Sequence, residues 1–249
     1  MIQEKCQSII SPVREDKTLT VGIGFQCPGA VVLGSDRQIT KAGGLKYEQC
    51  KILSAYLGSP NLGVLVACTY AHDPDIAANL MDDIAHKLPI TLQQARTGGA
   101  FFSQSVKEML EGIFSQKKAR DMEMLIAFGH PTNAWSPFLM RARGPTVVQG
   151  AREYIGAGDS SILRYIGELL GRFQLTVEEA PLAAFYLVSL ATRFVDRCDG
   201  DPDILIMFNG KAEIASAQTI EQAKKKMSGF DSNLASSLWS MLEHGGQSS

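Results

Sequence analysis

Length, composition and charge set the first limits on the class of this protein. The chain has 249 residues, of which 45% are hydrophobic and 20% are charged, and its formal net charge is −2. This size and composition allow a sizeable globular core, and we expect one domain because no linker-like or repetitive stretch divides the chain. So small a net charge gives no electrostatic reason to expect binding to nucleic acid or to an anionic membrane.

Cysteine and histidine usage gives no sign of a metal centre. The five cysteines and four histidines are widely spaced, without a CxxC pair or another spacing typical of metal ligands. An odd number of scattered cysteines also does not indicate a disulfide framework. We therefore expect reduced thiols, a cytoplasmic protein, and no metal or organic cofactor.

Strand patterns come first along the chain. Residues 18–25 and 30–36 are β-rich and flank the turn residues 27–29, which predicts an antiparallel hairpin. Residues 51–57 and 62–68 continue the strand-rich pattern around a second turn.

The apolar period then changes to that of a helix. Apolar residues fall four apart from Ile76 to Leu88, which predicts a helix over residues 73–87. A similar stripe predicts a second helix over residues 102–115.

The second half of the chain alternates in the same way. Three more strands are predicted, at residues 122–129, 137–143 and 152–158. One helix is expected to begin near Asp159, and another near Thr176, where Thr-Val-Glu-Glu has the sequence of a capping box, and to run to Asp196. A buried strand over 203–208 and a mostly helical tail over 218–244 follow. Runs of strands alternating with runs of helices indicate an α+β fold with antiparallel sheets covered by helices.

Four segments of the chain resemble one known family. Residues 18–40, TLTVGIGFQCPGAVVLGSDRQIT, resemble the opening of proteasome β-type subunits, and CKI at 50–52 looks like the lysine-bearing strand of that family. YIGAGDSS at 154–161 and VDRCDGDPDILIMFNGK at 195–211 are similar to two later motifs, in the same order. The resemblance implies a four-layer αββα sandwich of the N-terminal-nucleophile (Ntn) hydrolase type. It also implies an N-terminal extension or propeptide over residues 1–17 and a single domain over 18–249.

The resemblance also implies a catalytic set. Thr18 would be the nucleophile after removal of residues 1–17, Asp36 and Asp196 would be the orienting carboxylates, and Lys51 would stabilise the alkoxide and help to move its proton. A threonine hydroxyl is a poor nucleophile until a base takes its proton, and a freed α-amine with a pKa near ~8 can do so close to neutral pH. The opposite charges of the lysine and the carboxylates would keep each other ionised.

Further positions carry implied roles. The backbone amide of Cys68 would bind the oxyanion, and secondary roles would fall to Ala157 and Asp199. The substrate pocket would be lined by Ile39, Val66 and Tyr70, an apolar wall that favours apolar substrate residues.

The implied activity is that of a proteasome-like threonine endopeptidase, acting on peptides or unfolded proteins inside a homo-oligomeric ring. The chain departs from the family pattern at Lys17 and Cys68, where the family has glycine, and at Ala157 and Asp199, where it has serine. The departures at Lys17, Cys68 and Ala157 favour an alternative, an unprocessed, ring-forming structural subunit with little or no activity. A hydrolase of small-molecule amides is a third hypothesis, because one mechanism serves many amides.

Overall fold

The computed structural model describes residues 20–40, 46–58, 63–98, 102–170, 174–195 and 198–245. Within these residues the fold is α+β, with five α-helices, two five-stranded antiparallel sheets and a two-stranded ribbon. The predicted class, antiparallel sheets accompanied by helices, is confirmed.

The strands, in chain order, are β1 Val21–Cys27, β2 Ala30–Ser35, β3 Gln38–Thr40, β4 Lys46–Glu48, β5 Ile52–Leu57, β6 Val64–Ala71, β7 Glu123–Gly129, β8 Phe138–Arg143, β9 Thr146–Gln149, β10 Arg152–Gly156, β11 Asp203–Phe208 and β12 Lys211–Ile214. The helices are α1 Pro74–Gly98, α2 Phe102–Phe114, α3 Ser161–Leu170, α4 Glu179–Phe194 and α5 Ala217–Gly245.

The first sheet has the order β10-β1-β2-β11-β12, and the second has the order β5-β6-β7-β8-β9. Both are antiparallel throughout, and β3 pairs with β4 in the ribbon. Pro28 and Gly29 form the two-residue turn of the β1–β2 hairpin, in which Gly29 has φ 75°. This turn fixes the hairpin register from Cys27 opposite Ala30 to Gly22 opposite Ser35.

Three clusters of buried apolar residues form the core. One joins residues of both five-stranded sheets, such as Val31 and Leu205 from the first and Ala67 and Leu125 from the second. Another joins the second sheet with α1 and α2, and the last joins the first sheet with α3, α4 and α5. Each five-stranded sheet therefore contributes to two of the three clusters.

Several local predictions are confirmed at residue level. In the capping box before α4, Thr176 N donates to Glu179 Oε2 at 2.9 Å and Glu179 N donates to Thr176 Oγ1 at 3.2 Å. At the β11–β12 turn, Asn209 and Gly210 both have positive φ, 48° and 73°, the backbone shape of a type I′ hairpin turn.

Other predictions need correction. The first helix does not end at residue 87 but continues through Pro89 to Gly98, because Leu88 and Leu92 remain packed in the core. The third helix begins at Ser161, and the carboxylate of Asp159 lies 2.7 Å from Arg143 and 2.8 Å from Arg164. No helix among the described residues is both long enough and apolar enough to cross a membrane.

Candidate active site

Asp36 is a fully buried carboxylate at the end of β2. Its Oδ1 accepts a hydrogen bond of 2.9 Å from Val21 N, and its Oδ2 accepts one of 3.2 Å from Gln38 N. The backbone of Asp36 also continues the hairpin ladder, since Asp36 N donates to Val21 O at 3.4 Å. Two backbone donors therefore hold the carboxylate at a fixed position beside the start of β1.

Lys51 reaches this carboxylate from the residue before β5, and its side chain is only 1% exposed. Its Nζ lies 3.0 Å from Asp36 Oδ1 and 2.9 Å from Asp36 Oδ2. The same Nζ donates to Thr20 Oγ1 at 3.0 Å. The predicted Asp36–Lys51 juxtaposition is therefore present, and a threonine hydroxyl completes the set.

Thr20 stands directly before β1 and is buried, with 3% of its surface exposed. Sequence reasoning missed Thr20, because Thr18 and Thr20 are two residues apart and a strand pattern of period two treats them alike. The Pro28–Gly29 turn is the sequence feature from which the position of Thr20 could have been predicted. It sets a register that brings Asp36 opposite Val21 and so places Thr20 next to the carboxylate.

Burial shifts the pKa values of Asp36 and Lys51 in the directions that favour the uncharged form of each group. Desolvation lowers the pKa of Lys51 from its ordinary 10.5, and the charge of Asp36 opposes that shift. Desolvation likewise raises the pKa of Asp36 from its ordinary 3.8, while Lys51 and two backbone amides oppose it. The lowered pKa favours the uncharged amine of Lys51, which is the form able to accept a proton from the neighbouring hydroxyl.

Two members of the predicted catalytic set, Thr18 and Asp196, lie outside the described residues, as does Lys17. The turn that follows Asp196 does lie beside the site. Arg37 N donates to Asp199 O at 3.2 Å, and Gly200 N donates to Asp199 Oδ1 at 2.7 Å. The side chain of Asp199 is exposed.

The thiol of Cys198 also belongs to this neighbourhood, because it interacts electrostatically with both Asp36 and Lys51. It is buried, and burial raises its pKa to about 12. The thiol is therefore protonated at neutral pH.

Cys68 lies within β6, opposite Leu53 on one neighbouring strand and Ile126 on the other. Its side chain is fully buried, and the burial raises the pKa of its thiol to about 12. An amide inside a strand with neighbours on both sides normally bonds within the sheet. The assignment of its amide to an oxyanion stays a prediction.

The three predicted pocket residues fall into two groups. Val66 and Tyr70 share a face of β6 and pack in the cluster that includes α1 and α2. Ile39 is buried in β3 and lies opposite Tyr47 of β4. Their role in binding a substrate side chain stays a prediction.

The end of β10 lies beside the start of β1, on the side of β1 away from β2. Gly156 lies opposite Val21 and has φ 58°, and its amide donates to Glu123 Oε2 at 2.9 Å. A Cβ at Gly156 would collide with the backbone oxygen of Thr20. Ala157 opens the short 3-10 helix that follows.

Among the described residues, no group of three or more histidine, cysteine, aspartate or glutamate side chains could hold a metal ion. The groups that the structure brings together are instead a hydroxyl, an amine and a carboxylate. They suit proton transfer and nucleophilic attack.

The arrangement of two antiparallel sheets and their helices is similar to that of known solved structures. One such structure is an Anbu (Gly-1) mutant from Hyphomicrobium sp. strain MC1. The TM-score is 0.61 at 11% sequence identity, over 87% of this chain and 96% of that chain. At this identity the similarity shows the fold alone. No family model matches the chain, and no curated protein does.

These comparisons correct the identification with the proteasome β-type subunits. The solved structure named above is an Anbu mutant and not a β-type subunit, and its similarity to this chain extends to the fold alone. The four short motifs read from the sequence therefore do not assign the chain to that family.

Proposed function

We propose that this protein is a threonine-dependent hydrolase of peptide bonds, with the hydroxyl of Thr20 as its nucleophile. The observation that carries the proposal is the buried contact of Lys51 Nζ with both Thr20 Oγ1 and Asp36. The Ntn-like fold of the Anbu structure supports the same class of chemistry.

The chemistry follows from these contacts. The reactive form is the one in which Lys51 is an uncharged amine, a form that burial favours by lowering its pKa. Thr20 Oγ then attacks the carbonyl carbon of the substrate while its proton passes to Lys51 Nζ. Asp36 holds the resulting ammonium in place. The C–N bond then breaks, the proton moves to the departing amine, and water hydrolyses the ester on Thr20. If residues 1–19 are removed first, the α-amine of Thr20 becomes a second group able to take the proton.

Thr18 remains the competing nucleophile, because it is the residue that the family resemblance indicates. In an extended chain, residues two apart are separated by about 7 Å. The side-chain nitrogen of Lys51 therefore cannot bond both hydroxyls in that backbone shape. The two candidates predict different mature N-termini, after residue 17 or after residue 19.

The proposal includes the wider architecture. The three buried clusters support a four-layer arrangement in which the two sheets face each other and helices cover their outer faces. The substrate would be a peptide or an unfolded protein, and the active assembly would be a homo-oligomeric ring in the cytoplasm.

The alternative is an unprocessed structural subunit of such an assembly. Its support is that Lys17 and Leu19, the residues before the two threonines, are not glycine. Self-cleavage requires a strained turn before the nucleophile, and glycine tolerates such backbone shapes best.

The test is the intact mass and N-terminal sequence of the purified, assembled protein, for the wild type and for the matched variants Thr18→Ala and Thr20→Ala. We expect a mature chain that begins TVGIGF, with the processing lost in Thr20→Ala and kept in Thr18→Ala. Hydrolysis of fluorogenic peptides should follow the same pattern, and Thr20→Ser should retain part of it.

The other outcomes discriminate between the candidates. A mature chain that begins TLTVGIG, lost only in Thr18→Ala, would assign the nucleophile to Thr18. A full-length mass in all three proteins, without peptide hydrolysis, would refute the hydrolase and support the structural subunit.

A further inference from the structure

Arg37, the residue after Asp36, contacts three separate segments of the chain around the candidate site. Its guanidinium forms an ion pair with Asp203 at the start of β11, with Nε at 3.0 Å and Nη2 at 2.6 Å from Oδ1. Asp203 is 2% exposed, and Arg37 supplies the cation that pairs with this buried carboxylate.

The backbone of Arg37 makes the other two connections. Its amide donates to Asp199 O at 3.2 Å, and its carbonyl accepts from Gln49 N at 2.9 Å. Gln49 lies two residues before Lys51. Gly200, with φ 83°, packs closely on Arg37, because a Cβ there would lie 3.0 Å from the Cβ of Arg37.

These contacts fix the elements that carry the candidate catalytic groups. Asp36 precedes Arg37 in the chain, Lys51 follows the segment bonded to its carbonyl, and Cys198 precedes the turn bonded to its amide. Lys51 Nζ must stay within hydrogen-bond distance of two partners at once. A displacement of about 1 Å can cost a hydrolytic site a factor of ~100 in rate.

We propose that Arg37 and Asp203 are positioning residues. Their ion pair anchors Arg37 to the start of β11, and so holds in place the backbone bonds of Arg37 to the 49–51 segment and the 198–200 turn, which let Lys51 meet Asp36 and Thr20. This inference rests on the proposed hydrolase. Neither side chain takes part in the chemical step.

The test uses the double variant Arg37→Gln/Asp203→Asn in the full chain. Replacing both partners avoids leaving a buried, unpaired carboxylate, so the fold should survive. The control is Arg152→Gln/Glu168→Gln, which removes an ion pair of 2.9 Å at the other end of the first sheet, where Arg152 lies opposite Phe25. Two readouts are taken: peptide hydrolysis as a function of pH, and backbone hydrogen exchange.

We expect kcat to fall roughly 10- to 100-fold in the double variant with a small change in KM, and the acid limb of the pH profile to shift. Exchange should accelerate at residues 46–51 and 198–203 and stay unchanged in α1 and α2. The control should match the wild type in both readouts. The conservative variant Arg37→Lys should recover part of kcat, because it keeps the charge but loses the planar fork.

Unchanged kcat, pH profile and exchange in the double variant would overturn the proposal. A wild type that hydrolyses no peptide would instead refute the hydrolase. In that case the exchange comparison still decides whether the ion pair holds the 46–51 and 198–203 segments in place.

Discussion

Asp36 and Arg37, the two residues that follow β2, each form an ion pair, but the two pairs lie in different environments. In the Lys51–Asp36 pair the two side chains are 1% and 0% exposed, whereas in the Arg37–Asp203 pair they are 41% and 2% exposed. The enclosed pair has no solvent to compensate either charge, and burial displaces both of its pKa values. In the Arg37–Asp203 pair, here called the half-open pair, the guanidinium stays in contact with solvent. Its hydrogen bond to Asp203 raises the pKa of Arg37 above its ordinary value. The comparison suggests that the first pair is suited to proton transfer and the second to holding the fold in place.

The largest effect should come from breaking the enclosed pair on one side. Lys51→Met leaves the buried carboxylate of Asp36 without a cation, and we expect a loss of about 3–5 kcal/mol in the free energy of unfolding. Urea denaturation measures it, and Lys51→Met/Asp36→Asn should regain most of the loss. If Lys51→Met alone were as stable as the wild type, the pair would not be enclosed in solution.

Breaking the half-open pair on one side should cost less. Arg37→Gln leaves Asp203 with a neutral partner, and because water reaches this side of the pair we expect a loss of about 1–3 kcal/mol. The same denaturation experiment checks the prediction. A loss equal to that of Lys51→Met would mean that exposure does not separate the two pairs.

The stability contributed by the enclosed Lys51–Asp36 pair should also depend on pH. The folded state holds a proton on Asp36 more tightly than the unfolded state does, so this group's contribution to stability falls as pH rises from 3.8 toward the raised folded pKa. Lys51 binds its proton less tightly when folded, so its contribution rises with pH between the lowered folded pKa and 10.5.

Relative to Lys51→Met/Asp36→Asn, the wild type should therefore show its lowest stability at intermediate pH. The expected depth is about 1.4 kcal/mol for each unit of pKa shift. Urea denaturation of both proteins across this range measures the difference. A difference that is constant with pH would contradict the pKa shifts.

The smallest effect is expected at an exposed pair. In the Arg152–Glu168 pair the side chains are 33% and 57% exposed, so Arg152→Gln should change stability by less than about 1 kcal/mol. The change should shrink further in high salt, because exposed charges are screened. A larger loss would show that exposure alone does not rank the three pairs.

Much of the fold could be predicted from the sequence, because long periodic segments carry their own signal. The helical stripe from Ile76, the capping box at Thr176 and the Asn209-Gly210 turn all correspond to observed elements. The strands β3, β4, β9 and β12 were not predicted. They have three or four residues each, too few to show an alternation. The passage of α1 through Pro89 was also not predicted, because it depends on packing from elsewhere in the fold.

For the site, the sequence indicated a carboxylate and a lysine but not which threonine meets them. Asp36 and Lys51 follow distinct motifs, so each could be singled out, and the structure brings them into contact. The choice between Thr18 and Thr20 depends on hairpin register, a relation between two strands that no single strand pattern contains. Arg37 and Asp203 are 166 positions apart in the chain, so only the tertiary structure shows that they are partners.

Gly156 affects which residues the sequences of related proteins should retain. Its backbone shape and its closeness to Thr20 O exclude a side chain for steric reasons alone. A lineage that had lost all catalysis would still have to keep this glycine in order to fold. Its retention in relatives would therefore report on folding, whereas substitution of Thr20 or Lys51 beside an unchanged Gly156 would mark the loss of the proposed chemistry.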